Sequence, residues 1–480
     1  MLPALWGWEL CGGTMYRRFF AAVLSDETAF RRLFAFLWAL IIGPVLVGMV
    51  FLTPPIQVPD EEHHFLRAAQ IGEGHLIGDR LSPWNSGGTL PHGAVNFAYR
   101  FNDIRFHADR KITVGQVLNA RDDHWDTPRE QAPFPNTVIY APFFYIPQAI
   151  GIDAGRLLHR SALVSLYLGR LASVLGCLTL GALALAITNR GRMVMAVILS
   201  LPMTLTLCAS CSQDGLFITS CALWVALMTH MRGPMAEHRW YWVVLIALMS
   251  ALLASKPPYI MMAFLPFFFA GRKHWRFASY AAAVSIGVML LWSIYGMHPV
   301  DITSGGSGAV SGKRQALRLF HHPWVAVTLI VHTAVTFGSS LYQQYLGVLG
   351  WLDAAAPLWF YRSASFAFAL SVISALIARR YAWGLTDWIE RLGVLLVLLA
   401  TFCGVSLALY MIWTPVGESL ILGLQGRYYL GFSLLFALLF PQILRLRFAV
   451  LSRGVDAALV IAVPCLCGVA ALETLVLRYW

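Results

Sequence analysis

A short polar stretch, Pro59-Asp60-Glu61-Glu62-His63-His64-Phe65-Leu66-Arg67, follows the first long apolar run of the chain. Its carboxylates, imidazoles and guanidinium can act as proton acceptors, proton donors and anion ligands. At the mouth of a membrane helix, such groups could act where a substrate from water meets a substrate from lipid. The alternative is structural, because the helix dipole favours acidic residues in the first turn of a surface helix.

Other ionisable residues lie at or near the ends of later apolar runs. Arg170 lies one or two turns inside a run, Asp214 and Lys256 lie at run ends, and Arg427 stands in Gln425-Gly426-Arg427-Tyr428-Tyr429. Charged groups at such depths are costly and are usually functional or paired. The planar guanidinium of Arg427 suits capture of a phosphate at headgroup depth.

Each of these three cations also has a structural alternative. Arg170 could form a pair with a loop carboxylate. Lys256 could extend its ammonium to the membrane interface, and Arg427 could anchor its helix in an aromatic belt. Residue chemistry alone leaves these alternatives open.

The composition identifies the class of protein that must position these residues. Hydrophobic residues make up 58% and charged residues 12% of the chain, against roughly 25% charged residues in soluble domains. Several apolar runs reach the ~20 residues that cross a bilayer. The net charge of +11 is concentrated in short loops, as the positive-inside rule requires, and therefore does not indicate nucleic acid. No cysteine lies between residues 54 and 162, which excludes a disulfide framework there.

We therefore predict an all-α polytopic membrane protein with about eleven spans (10–13) in one integral membrane domain, residues 33–480. Residues 1–32 form a cytoplasmic lead in which Met15 could be the true start. Arginines assigned to the cytoplasm fix the order of crossings. The predicted spans are about 33–52, 163–188, 193–210, 215–231, 240–254, 258–270, 277–296, 357–377, 391–413, 428–444 and 455–477.

Two regions are predicted to lie outside the cytoplasm. Residues 54–162 hold half of the acidic residues and seven of the 14 histidines, and a loop of this length is usually functional. Residues 60–73 are predicted to form a short amphipathic helix, and the prolines within 137–160 indicate an interfacial segment rather than a clean span. The second region is 297–356. Arg379, Arg380 and Arg391 are assigned to the cytoplasm, so an odd number of crossings must lie between residues 297 and 378. Residues 357–377 are taken as that single crossing, and residues 323–345 are therefore predicted to lie along or dip into the outer face.

The motif Pro59-Asp60-Glu61-x-x-His64-x-x-Arg67 resembles the signature of a bacterial polytopic membrane family of unknown function, common in cell-surface polysaccharide gene clusters. Glu62 departs from that family, which more often has a proline or a small residue there. Further similar motifs follow in order: Tyr140-x-Pro142-x-x-Tyr145-x-Pro147-Gln148-x-x-Gly151, Leu168-Gly169-Arg170-Leu171, Ser212-x-Asp214, Lys256-x-x-Tyr259, Gly350-Trp351-Leu352-Asp353 and Gln425-Gly426-Arg427-Tyr428.

The layout also resembles the GT-C superfamily of glycosyltransferases, multi-span enzymes whose first external loop opens with an acidic residue. The resemblance implies a polyprenyl-phosphate-linked sugar donor, a glycan or glycolipid acceptor, and a bacterial inner (plasma) membrane protein whose site faces the periplasm. It implies that Asp60 is the general base on the acceptor hydroxyl and that Glu61 is held in reserve. Asp214 matches the second acidic position of the superfamily only loosely.

These residues support a hypothesis of inverting displacement at the anomeric carbon. Asp60 would take the acceptor proton while Arg427 and Lys256 stabilise the departing lipid phosphate. His64 and Arg67, at i+4 and i+7 from Asp60, would share its helix face. No cofactor or metal is required, although the acidic cluster could hold a divalent cation. The other predicted substrate-binding residues are Tyr140, Arg170, Asp214, Tyr259, Asp353, Gln425 and Tyr428.

Other classes of function remain as alternatives. A lipid-linked glycan transporter or flippase should place its charges near the bilayer midplane and often has internal repeats. Here the predicted charges gather at one face and no repeat is visible, which favours the enzyme. A polysaccharide polymerase or ligase with a lipid diphosphate donor would share the arginines, so the sequence separates it poorly. The polar cluster speaks against a purely structural scaffold.

Overall fold

The computed structural model describes residues 26–82, 85–297, 310–377, 384–440 and 447–480. Most of the predicted lead (residues 1–25, with Met15) and both Arg379 and Arg380 lie outside these residues. The described chain is mostly helical. Its α-helices are α1 Glu27–Leu52, α2 Glu61–Gly72, α3 His92–Tyr99, α4 Val114–Leu118, α5 Pro135–Val138, α6 Ile146–Leu157, α7 Ala162–Ile187, α8 Arg192–Ser200, α9 Pro202–Cys208, α10 Gln213–Met228, α11 Arg239–Ser255, α12 Leu265–Phe269, α13 Gly271–Tyr295, α14 Gly312–His321, α15 Trp324–Gly347, α16 Leu358–Ile377, α17 Leu385–Trp413, α18 Leu430–Ser433 and α19 Arg447–Tyr479.

Within the described residues, seven helices are long and apolar enough to cross a membrane: α1, α7, α13, α15, α16, α17 and α19. An eighth crossing results if α9 and α10, which meet at a bend of 114°, count as one span. Several of these helices coincide with predicted spans. The total of about eleven spans stays a prediction.

The difference in number comes from short or broken apolar segments. Predicted span 193–210 is divided between α8 and α9, since Pro202 begins a new helix after extended Leu201. Proline cannot donate to the preceding turn of a helix, which explains this break. The predicted spans 258–270 and 428–444 contain 3₁₀ segments, Pro257–Phe264 and Leu434–Leu439.

Residues 137–160 are interrupted as the prolines predict, because a 3₁₀ turn at Pro142–Tyr145 separates the short helices α5 and α6. Residues 323–345 belong to the continuous helix α15, which meets the length and hydropathy of a span. Whether α15 crosses or follows the outer face stays a prediction.

The region 54–162 contains a small antiparallel sheet that the sequence did not predict. Strands β1 (Asp79–Ser82), β2 (Asn85–Pro91) and β3 (Arg129–Pro133) follow the order β1-β2-β3. At Gly87, a β-carbon would lie 1.9 Å from the carbonyl oxygen of Ala132 on β3, so the strands fit together only with glycine there. The amide of Gln70 on α2 donates to the Gly87 carbonyl oxygen at 3.2 Å, which joins the sheet to α2.

Helix α2 is buried on almost every side, including both glutamates of its first turn. This burial contradicts the alternative of an acidic turn on a surface helix. Phe65 of α2 packs its ring 5.5 Å from that of Phe97 and 5.9 Å from that of Trp125, measured between centroids. The aromatic side chains of the polar region therefore belong to the main hydrophobic core and pack around α2.

The last helix ties two loops to this region. Arg478 of α19 binds Asp353 at 2.7 Å and donates to the carbonyl oxygens of Arg110 and Ile104 at 3.0 and 2.9 Å. Asp353 lies in the turn between two short paired strands, β4 (Val348–Leu349) and β5 (Ala354–Ala355). The end of α19 thus fixes the 347–356 turn and the loop near residue 110 together.

Two glutamates each bind two arginines from other parts of the chain. Glu390 of α17, fully buried, binds Arg190 at 2.7 Å and Arg232 at 2.8 Å. Glu27, at the start of α1, binds Arg192 at 2.6 Å and Arg453 at 2.9 Å. These two carboxylates therefore join segments that are distant in sequence.

Candidate functional site

Asp60 immediately precedes α2 and has a left-handed backbone, with φ of 63°. For a residue with a side chain, this conformation costs of order 1–3 kcal/mol, and it persists where the surroundings enforce it. One carboxylate oxygen of Asp60 accepts a hydrogen bond from Arg427 at 2.5 Å, while the other lies 3.5 Å from the amide of Asn136. The side chain stays 26% exposed. Asp60 is thus an accessible carboxylate with bonding capacity left.

Arg427 is held by the segment that carries it. Its Nε donates to Gln425 at 2.7 Å and its Nη1 to the carbonyl oxygen of Pro59 at 3.2 Å. The next residue back, Gly426, donates its N–H to Gln344 of α15 at 3.0 Å. A β-carbon on Gly426 would lie 2.3 Å from backbone atoms of α15, so only glycine allows this close approach. The position of the guanidinium therefore depends on α15.

A second ion pair lies beside the first. Asp214 in the first turn of α10 binds the ammonium of Lys256 at 2.8 Å. Lys256 follows α11 at the break before Pro257, and its Nζ lies 4.6 Å from the centroid of the Phe217 ring. Asp214 also interacts electrostatically with Arg427. The two pairs therefore form one cluster of two carboxylates and two cations.

Aromatic side chains enclose this cluster. His64 hydrogen-bonds through Nδ1 to the Tyr145 hydroxyl at 2.6 Å and stacks on Tyr140 at 6.2 Å between centroids. The Tyr259 hydroxyl donates to the carbonyl oxygen of Tyr428 at 3.0 Å. The guanidinium of Arg427 lies 5.4 Å from the centroid of the Tyr428 ring. The charged groups thus lie next to aromatic side chains, of which His64, Tyr145 and Tyr259 are buried.

Burial and charge act on Asp60 in opposite directions. Burial raises the pKa of the Asp60 carboxyl, but the neighbouring Arg427 guanidinium outweighs this and holds the pKa below its usual value. Asp60 is therefore ionised at neutral pH. A carboxylate can accept a proton only in this state.

Glu61 points away from this cluster. Its carboxylate is fully buried, binds Arg170 through both oxygens at 2.6 and 2.8 Å, and accepts from the backbone N–H of Cys211 at 2.9 Å. Arg170 also donates to the carbonyl oxygens of Val50, Thr53 and Pro54 at 2.9, 2.7 and 3.0 Å. The structure thus forms the pair with a loop carboxylate that was the alternative for Arg170, and this pair terminates α1.

Arg67 and Asp353 also lie apart from the two ion pairs. Arg67 is buried and donates to Gln70 at 2.5 Å, to the Leu76 carbonyl oxygen at 2.6 Å and to the Tyr140 carbonyl oxygen at 3.3 Å. Asp353 is bound by Arg478. Arg67 thus contacts the backbone of Tyr140 and interacts electrostatically with Tyr145, whereas Asp353 is held in its own loop.

Four residues near the site escaped the sequence reasoning: Asn136, Gln344, Arg105 and Arg478. Arg105 binds Glu62 at 3.1 Å, and its guanidinium carbon lies 3.2 Å from the centroid of the Trp351 ring. Glu62, the extra carboxylate of the motif, was a signal that a cation lies nearby. Nothing local in the sequence marks the other three.

Residues 44–436 match a family model described as predicted membrane protein (DUF2142). The chain belongs to this family. Neither the curated proteins nor the solved structures compared with the chain include a match. The DUF2142 match confirms that this is a membrane protein, and it spans both ion pairs but ends before Arg478.

The side chains around Asp60 and Asp214 in this DUF2142 protein can be compared with those of a metal site. In the part of the chain that the structure describes, no group of three or more His, Cys, Asp or Glu side chains could hold a metal ion. Near Asp60 and Asp214 the counter-charges are Arg427 and Lys256 instead. Cations of the protein itself thus fill the positions facing the two carboxylates.

Acid is expected to destabilise this DUF2142 protein through His64. Burial lowers the pKa of His64 to about 4, below the ~6.5 of an unfolded chain. A base with a lowered folded pKa contributes stability above pH 6.5 that is lost as the pH falls towards 4. Between pH 6.5 and pH 4, the free energy of unfolding of His64→Gln should therefore fall by about 3 kcal/mol less than that of wild type. Thermal or denaturant unfolding in detergent measures this difference.

Two comparisons isolate this effect. Burial raises the pKa of Glu62 to about 7, so protonation of Glu62 affects stability in the direction opposite to that of His64. Glu62 is present in both wild type and His64→Gln, so its effect cancels when the two unfolding free energies are subtracted. His75→Gln alters an exposed histidine of the same loop and should follow the wild-type curve. Equal acid sensitivity of His64→Gln and wild type would contradict the prediction.

Proposed function

We propose that this protein is a membrane glycosyltransferase. It transfers a sugar from a polyprenyl-phosphate donor to a cell-surface glycan or glycolipid at the periplasmic face of the bacterial inner membrane. The observation that carries the proposal is the partly exposed carboxylate of Asp60 at the start of α2, which is paired with Arg427 and interacts with the same cluster as the Lys256–Asp214 pair. A base and two cations at a helix end are what glycosyl transfer from a lipid phosphate requires.

Asp60 is the general base in this proposal, and Glu61 is not. Asp60 is partly exposed and has an oxygen with only a long contact, to Asn136. Glu61 has both oxygens bound inside the protein and no exposed surface. An acceptor hydroxyl must come within ~2.6–3.2 Å of the base, and only Asp60 allows this. Glu61 instead holds α2 against α1 through Arg170.

The reaction is a single displacement that inverts the anomeric carbon. Asp60 removes the proton of the acceptor hydroxyl, and the acceptor oxygen forms a bond to the anomeric carbon. The bond from that carbon to the phosphate oxygen breaks, and its electron pair stays on the phosphate. Arg427 and Lys256 stabilise this developing charge, an electrostatic contribution that is usually the largest in such reactions.

Donor binding and base strength are coupled through Arg427. In the free protein, Arg427 is bound to Asp60 at 2.5 Å and lowers its pKa. A donor phosphate at Arg427 competes with Asp60 for the same N–H groups and neutralises the same charge. Asp60 then becomes a stronger base, so the base is activated only when the donor is in place.

The remaining side chains position these groups. Gln425 orients the guanidinium of Arg427, and Tyr259 fixes the backbone of Tyr428. His64 stacks on Tyr140 and binds the Tyr145 hydroxyl, which packs these side chains near Asp60. Asp214 holds Lys256 in place.

Arg427→Gln is expected to weaken donor binding roughly 10- to 100-fold, because a hydrogen bond from a charged group contributes about 1.5–3 kcal/mol. The test measures transfer by purified protein in lipid vesicles, with a panel of polyprenyl-phosphate sugars and a crude glycolipid acceptor. Arg272→Gln, which alters an exposed arginine of α13, is the matched control. An unchanged KM for the donor in Arg427→Gln would remove Arg427 from the donor site.

The same assay separates the alternative functions. Transfer from any polyprenyl-phosphate sugar by wild type supports the proposal. Donor binding without transfer points to a lipid-linked glycan transporter or flippase. Transfer only from lipid diphosphate-linked oligosaccharides points to a polysaccharide polymerase or ligase.

A further inference from the structure

An apolar groove of about 180 Å³ lies between α15, α17 and the segment 421–429, which contains Arg427. Its walls include Ala334 and Gly338 of α15, Phe402 and Ser406 of α17, and Leu424 and Tyr429 of the segment. The rings of Phe402 and Tyr429 stack at 5.3 Å between centroids and form one side. The two helices both meet the criteria of membrane spans.

The groove is lined mainly by apolar side chains, and the hydroxyls of its serine and threonine form hydrogen bonds within the protein. The Ser406 hydroxyl donates to the carbonyl oxygen of Phe402 at 2.8 Å, and the Thr333 hydroxyl accepts from the N–H of Ile421 at 2.9 Å. An apolar cavity of about 150 Å³ stays dry and accepts a molecule of the size of benzene, so this groove can take a section of hydrocarbon chain.

The groove lies beside the segment that carries Arg427 of the candidate site. Leu424 and Tyr429 of its wall flank Arg427 in the same short segment. Gly426 of that segment is bonded to Gln344, three residues beyond the groove residue Leu341 on α15. A phosphate bound at Arg427 would therefore place an attached lipid chain at the mouth of the groove.

We propose that this groove holds the first isoprene units of the donor lipid while Arg427 binds its phosphate. This inference rests on the proposed function, since it assigns the tail of the same donor. Small residues make the space available. A β-carbon on Gly338 would meet no atom within 4 Å, so a larger side chain there would enter the groove without displacing the fold.

Gly338→Leu tests the assignment, and Gly287→Leu is its control. Gly287 is also a helical glycine at which a β-carbon would meet no atom within 4 Å, but it lies on α13, away from the groove. Binding of a polyprenyl phosphate to each purified protein is measured by fluorescence quenching or calorimetry, with inorganic phosphate as the probe for the headgroup site. Gly338→Leu should raise the Kd for polyprenyl phosphate at least tenfold, whereas its Kd for inorganic phosphate and both values for Gly287→Leu should match wild type.

A second variant, Ala334→Leu, fills the same groove from one turn away and should have the same effect. Wild-type affinity in both groove variants would overturn the assignment. An equal loss of phosphatidic acid binding would also overturn it, because the groove would then take any lipid chain. If polyprenyl phosphate binding depends on Arg427 but not on Gly338, the groove does not hold the lipid tail, and the proposed function is unaffected. If wild type does not bind polyprenyl phosphate, both the groove assignment and the proposed function are wrong.

Discussion

Asp60→Asn is expected to abolish sugar transfer while donor binding becomes tighter. Asparagine has nearly the same shape as aspartate but cannot accept the acceptor proton, and a positioned base contributes roughly 10²–10⁴-fold to rate. The substitution also removes the carboxylate that competes with the donor phosphate for Arg427. We therefore expect kcat to fall by about that factor and the KM for the donor to fall as well. A purely structural role for Asp60 would not lower both.

The measurement is steady-state transfer in lipid vesicles together with donor binding. Asp109→Asn, at an exposed position in the same loop, serves as control and should match wild type. Full transfer by Asp60→Asn would move the base to Asp214. A loss of transfer with weaker donor binding would argue against competition between Asp60 and the phosphate.

Glu61→Ala is expected to destabilise the protein by about 3–5 kcal/mol, because it leaves the buried guanidinium of Arg170 without its counter-charge. Arg170 and Glu61 are both fully buried, so water cannot replace the missing carboxylate. The three carbonyl oxygens that Arg170 also binds would keep it in place, next to the end of α1. Thermal unfolding in detergent should therefore shift strongly downward.

A double variant distinguishes stability from chemistry at this position. Replacing both Glu61 and Arg170 by methionine removes both charges and should recover much of the lost stability, since buried pairs are often replaceable by apolar residues. Glu418→Ala, at an exposed glutamate, should leave unfolding unchanged. A stable Glu61→Ala protein that loses transfer would instead give Glu61 a chemical role.

Long apolar segments were predictable because crossing hydrocarbon demands about 20 apolar residues in a row. Predicted span 163–188 became α7, Ala162–Ile187, and 391–413 lies within α17. Shorter apolar segments carry no such length signal. Where a proline such as Pro202 interrupts them, tertiary packing decides whether they bend, and α9 and α10 meet at 114°. The sheet of β1 to β3 was missed because its strands are short and polar.

The composition of the site was easier to predict than its pairing. Sequence reasoning chose Asp60, Asp214, Lys256 and Arg427, and the structure places them in one cluster. It could not decide which carboxylate faces which cation. The positive φ of Asp60 turns its side chain towards Arg427, whereas the next residue, Glu61, faces Arg170. Such a backbone turn depends on contacts distant in sequence, so residue types alone do not reveal it.

The pairing of Asp60 with Arg427 joins residues 367 positions apart, and this separation sets a schedule for biogenesis. Chains grow at about 5–20 residues per second, so Asp60 waits roughly 20–70 seconds before its partner is synthesised. Throughout that time it carries a charge without its cation. The pair can therefore form only after Arg427 has been synthesised, and a chain that stops before residue 427 contains Asp60 without its partner.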